Sequence, residues 1–193
     1  AITLSQAGDH VAAMMAFERA LVTAANSNPE LLDNDFFLSY GGAAERAGHF
    51  VKAAELLKKS IALDPARSAP ACNYLGYMWA DRGENLAEAE QFIRRALELD
   101  PGNGAYRDSL GWVFFRQGRN EEALAELLRA SETMEQPDPV VLDHIGDVYG
   151  KLGKTAEAVL YWRKALQLDP KNQLLTEKLD AHAARVASQP EQN

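Results

Sequence analysis

The feature that most constrains this chain is that it repeats itself every 35 residues. The stretch Asp108-Ser109-Leu110-Gly111-Trp112-Val113-Phe114-Phe115-Arg116-Gln117-Gly118 has one copy upstream, from Asn73 to Gly83, and one downstream, from Asp143 to Gly153. A weaker copy runs from Ser39 to Gly48. Two glycine series keep the same step: Gly41, Gly76, Gly111 and Gly146 within the copies, and Gly48, Gly83, Gly118 and Gly153 at their ends. Self-similarity at a period of roughly 20 to 50 residues marks a repeat array, whose units cannot bury their apolar faces alone and stack on one another. The 193 residues therefore read as one array rather than as two unrelated globular domains.

Apolar residues recur with helical spacing throughout and no alternating strand pattern occurs, so the fold class is all-α. A partial repeat is expected over 1–28, with Gly8-Asp9 as its turn, and full repeats over 29–65, 66–101, 102–137 and 138–170. A single closing helix follows to about 187, and 188–193 is a polar tail expected to be disordered. Within the full repeats, helix pairs are expected at about 35–47 with 50–63, 69–82 with 86–99, 104–117 with 120–133, and 139–152 with 155–168. The step is broken by extra residues at Glu30–Asn34, near Asn85 and at Met134–Pro139. In the closing Leu-Asp-Pro of three repeats, the aspartate is expected to cap the next helix and the proline to occupy its first position. The mid-helix glycines are expected to let the paired helix approach closely, against Ala53, Ala89, Ala123 and Ala158.

A net charge of −8 and a pI near 5.0 disfavour a nucleic-acid backbone as partner. No apolar run reaches the roughly 20 residues of a membrane helix. Four histidines, His10, His49, His144 and His182, are scattered without metal-ligand spacing. The lone Cys72 falls at a packing position without a base, and no glycine loop suits a phosphate. No metal, cofactor or catalytic set is therefore expected. The chain opens on Ala1-Ile2 inside a helical stretch, without a signal-peptide pattern. That is the expectation for a fragment with a targeting segment upstream, leaving envelope and cytoplasm both open.

These residues resemble the tetratricopeptide repeat family, whose pattern runs W-x2-L-G-x2-Y, A-x3-F, P. Leu75-Gly76-x-x-Trp79, Leu110-Gly111-x-x-Phe114 and Ile145-Gly146-x-x-Tyr149 match its first part; Ala89-x3-Ile93, Ala123-x3-Leu127 and Ala158-x3-Trp162 match its second. Pro65, Pro101 and Pro170 match its third, while Phe37, Cys72, Arg107 and Leu142 stand where the family has its opening tryptophan. The run through LGYMWADRG to LGWVFFRQGR is also similar to bacterial envelope members, among them lipoprotein adaptors. The resemblance implies a right-handed α-solenoid with a C-terminal capping helix, and a noncatalytic scaffold binding a peptide or partner helix in a concave groove. A helical wheel places Asn73, Tyr74, Tyr77, Asp108, Trp112, Phe115, Arg116, Asp143, His144 and Asp147 on the groove side. The short polar side chains would bond an extended peptide, the aromatics would anchor it, and the carboxylates would favour an apolar or partly basic ligand. The alternatives are self-assembly through the N-terminal end, at Ile2 and Val11, and base reading by an RNA-binding helical repeat.

Overall fold

The computed structural model describes residues 9–188, so Ile2, Gly8 and the tail from residue 189 lie outside the described residues. Among these there are ten α-helices and no strand. They are α1 (His10–Ser27), α2 (Asn34–Arg46), α3 (Phe50–Leu63), α4 (Ala69–Arg82), α5 (Leu86–Leu99), α6 (Gly104–Arg116), α7 (Asn120–Thr133), α8 (Pro139–Lys151), α9 (Thr155–Leu168) and α10 (Gln173–Ser188). The extra residues after Pro29 form a 3-10 turn, Pro29–Leu31.

The helices gather into two compact units, Ala1–Pro101 with α1 to α5 and Gly102–Asn193 with α6 to α10. Within them α2 pairs with α3, α4 with α5, α6 with α7, and α8 with α9. First helices of successive hairpins also touch, α2 with α4 and α6 with α8. Each unit thus has a wall of first helices, and that wall carries the residues of interest.

Each hairpin turns on a glycine with a left-handed backbone, φ 70° at Gly83 and 80° at Gly118, a conformation only glycine adopts without strain. The mid-helix glycines answer a different need. A methyl carbon at Gly111 would lie 2.6 Å from Leu127 Cγ and 3.1 Å from the Ala123 carbonyl oxygen; at Gly76 the distances to Ile93 Cγ1 and the Ala89 oxygen are 2.5 and 2.8 Å. The small residue of A-x3-F therefore brings the backbones together, and the residue four positions on fills the space above the glycine. At Gly146 that residue is Trp162, and at the first repeat Phe17 instead stacks on Tyr40, with ring centroids 5.4 Å apart. Phe37, Cys72 and Leu142 are buried at the opening position, whereas Arg107 is half-buried and donates to Glu126 at 2.9 Å.

The Leu-Asp-Pro expectation needs correction. Asp64, Asp100 and Asp169 end the preceding helices, and the prolines after Asp64 and Asp100 lie in turns rather than in helix α4 or α6. Asn103 and Asn172 supply the next caps, accepting from Tyr106 and Leu175 amides at 3.2 Å each. Asp138-Pro139, which is not one of the three, has the geometry expected of them, with Asp138 accepting from Val140 and Val141 amides and Pro139 opening α8. A proline two residues beyond a helix end stops one helix as effectively as it starts another, so the dipeptide alone does not tell the two apart.

Candidate functional site

In unit 1 the expected residues lie on α4. Tyr74 is engaged by the preceding hairpin: its hydroxyl donates to Glu45 Oε2 at 3.0 Å and accepts from Arg46 at 3.3 Å. Gly42 leaves room for this, since a methyl carbon there would stand 3.3 Å from the tyrosine oxygen. Burial, with the Glu45 charge beside it, pushes the Tyr74 phenol above its ordinary pKa. Tyr74 thus straps α4 to α2. Asn73 and Tyr77 are half-buried, and the Asn73 Oδ1 is buried without a hydrogen-bond partner among the described residues.

A pocket of about 810 Å³ in unit 1 lies elsewhere, and none of Asn73, Tyr74 and Tyr77 lines it. It opens beside the turn that holds the extra residue, Asn85, whose φ of 47° is the one positive value outside glycine among the described residues. Cations already cover its rings: Arg82 lies 3.7 Å over Phe50, and Lys58 5.0 Å over Trp79.

In unit 2 the wheel misplaces two residues. Asp108 and His144, expected in the open groove, are buried at 7% and 6% exposure, with the His144 Nδ1 2.9 Å from Asp108 Oδ1. Trp112 covers the imidazole, stacking on it at 4.1 Å and on Phe115 at 5.1 Å. The Trp112 indole nitrogen is buried without a hydrogen-bond partner among the described residues, and the Arg116 guanidinium lies 5.9 Å from the Trp112 ring centre. Burial acts to lower the His144 pKa, but the bond to Asp108 and the charges of Asp108, Asp143 and Asp147 outweigh it and raise the pKa overall. The pair has the spacing of a base and its orienting carboxylate. Trp112 screens it, however, and the adjacent Ser109 hydroxyl donates to the Ala105 carbonyl at 3.0 Å. The Asp108–His144 contact ties α6 to α8.

Asp143 and Asp147 are also engaged. Lys178 of α10 donates to Asp143 Oδ1 at 2.6 Å and to Asp147 Oδ2 at 2.8 Å, and the Trp162 indole donates to Asp147 Oδ1 at 3.0 Å. Burial, reinforced by the neighbouring Asp147, raises the Asp143 pKa against the opposing effect of Lys178. The polar ladder Asn73, Asp108, Asp143 therefore does not stand open to bond a peptide backbone as expected. Its next rung was legible: one more step of 35 from Asp143 reaches Lys178, and one from Asp147 reaches His182. The closing helix α10 thus stands in register as a further first helix, with Leu175 completing the apolar cluster of Leu142, Ala158, Trp162 and Ala165.

Space remains between these helices. A pocket of about 270 Å³ is lined by Phe115 of α6, Asp147, Gly150 and Lys151 of α8, Trp162 of α9 and His182 of α10. A second, of about 370 Å³, shares Trp162 and His182 with it and adds Lys178 and Ala181. Of the expected residues, Phe115 and Asp147 line the smaller of these two pockets. Among the described residues no group of three or more His, Cys, Asp or Glu could hold a metal ion, and no helix is long and apolar enough to cross a membrane.

Stacked helical hairpins with close glycine seams and a wall of first helices define a class of repeat protein. The chain belongs to the tetratricopeptide repeat family, which matches residues 31–179. It is 36% identical over 104 residues to a TPR repeat-containing protein of Pseudomonas aeruginosa, covering 54% of this chain and 17% of that one. It is 30% identical over 155 residues to the type IV pilus assembly protein PilF of the same organism, covering 77% of this chain and 61% of PilF. The chain thus spans less than two thirds of the length of either relative. The crystal structure of a thermophilic TPR protein from Thermus thermophilus superposes with a TM-score of 0.77 at 22% identity, covering 95% of both chains, and shows the shared fold. Members of this family are generally protein-interaction scaffolds without catalysis of their own.

Proposed function

We propose that this chain is a noncatalytic scaffold that holds a peptide segment of a partner protein against the first helices of unit 2. The observation that carries this reading is the pair of adjoining pockets walled by Phe115, Trp162 and His182, rings gathered from three helices with space between them. Aromatic anchors in such settings are the usual centres of binding energy, at about 2 kcal/mol or more each. Cys72 is fully buried with its thiol pKa raised by that burial, which makes it a poor nucleophile and supports the noncatalytic reading.

Selection from a random-peptide library tests this, with Phe115→Ala as the counter-screen. Phe115 is the better substitution because Trp112 and Asp108 also brace the fold. Enriched peptides are expected to lose roughly tenfold or more in affinity for the variant. Equal binding to both proteins would place the site elsewhere.

A second reading has its own observation. Val11, Met15 and Val22 lie on one side of α1 and are 55%, 48% and 65% exposed, a stripe suited to association with another copy. Light scattering over a concentration series, comparing the chain with its Val22→Glu variant, tests that reading through a concentration-dependent mass that the variant lacks.

A further inference from the structure

Resting on that groove reading, we propose that the pocket between Phe115 and Trp162 takes a peptide in which an apolar side chain is adjacent to a carboxylate, with Lys151 receiving the carboxylate. The expectation drawn from the wheel was the opposite, that Asp108, Asp143 and Asp147 would attract a basic ligand. Their oxygens are engaged inside the fold. Asp108 is held by His144, Asp143 by Lys178, and Asp147 by Lys178 and the Trp162 indole.

The cations are placed differently. Lys151 is exposed, lines the smaller pocket and has no ion pair or hydrogen bond among the described residues. It stands one helical turn from Asp147, whose charge already faces Lys178 at 2.7 Å. Asp143 and Asp147 both turn to Lys178, so the Lys151 ammonium at the pocket rim is left to answer a charge brought by a ligand. An apolar group between the Phe115 and Trp162 rings would displace water from two apolar walls, while a neighbouring carboxylate would find the ammonium at the rim. A lysine or arginine in that place would meet Lys151 with no unpaired carboxylate to receive it.

Four fluorescein-labelled hexapeptides test this against the whole chain by fluorescence anisotropy. They are identical except for the central pair: leucine–glutamate, leucine–glutamine, leucine–lysine or alanine–glutamate. Leucine–glutamate is expected to bind tightest and leucine–lysine roughly fivefold more weakly, a gap that narrows at high salt. Lys151→Glu should reverse that order without disturbing the fold, since the side chain is exposed. Phe115→Ala should weaken every leucine peptide and leave alanine–glutamate little changed. If the leucine peptides bind alike, or keep their order in Lys151→Glu, the charge assignment is overturned; the groove reading survives as long as Phe115→Ala still weakens them. Peptides that bind but ignore Phe115→Ala would overturn both. Absence of binding by all four would overturn this inference, leaving the groove to the library selection.

Discussion

Tyr74 in unit 1 and His144 in unit 2 occupy the same place in the repeat, two steps of 35 apart, and both reach back to the first helix of the hairpin before. What they reach differs. Tyr74 meets the half-buried Glu45 and the exposed Arg46 through a neutral hydroxyl. His144 meets a buried carboxylate and is itself covered by Trp112. One strap lies near the surface and carries no titratable charge of its own near neutrality. The other is a buried ionisable pair, dear to break and responsive to pH. Repeat position thus decides where a polar side chain points, and the neighbouring residue decides whether it serves the fold or a ligand.

The largest expected break in this comparison is Asp108→Ala, which strands the buried imidazole. About 2–3 kcal/mol of stability should be lost in urea denaturation followed by circular dichroism, against about 1 kcal/mol for Tyr74→Phe. Equal losses would erase the contrast between the two straps. Gly111→Val falls between them at about 2 kcal/mol by overpacking Leu127, and because it acts within one hairpin its effect should be independent of pH.

The acid–base prediction is smaller and sharper. The folded-state pKa of His144 is raised above its ordinary 6.5, so its contribution to stability is full below about that pH and is lost as pH rises through the folded value. The urea midpoint should therefore fall from mildly acidic to mildly alkaline pH, less steeply in Asp108→Asn. A slope unchanged in that variant would show that His144 is not its source. Smallest of all, Lys151→Glu should alter stability by less than about 0.5 kcal/mol while reordering the peptide preferences.

Much of this was legible from the period alone. The helix boundaries fall within a residue or two of expectation, because turn glycines and apolar spacing report backbone geometry directly. The tight approach at Gly76 and Gly111 was legible for the same reason. The fate of Asp108 and His144 was not. A wheel gives the direction of a side chain but is silent on what stands opposite, and here Trp112 and the next first helix close over both. Lys178 lay within reach of the same arithmetic and was missed because the closing helix was read as a cap rather than as one more first helix. The Asp-Pro dipeptides misled because a helix end and a helix start share that signature.

Trp112 lying face to face with the His144 ring, 4.1 Å away, has an optical consequence. A protonated imidazole quenches the emission of an adjacent indole, whereas the neutral ring does so far less. Trp112 should therefore brighten as solution is made alkaline, a built-in indicator dye that needs no label.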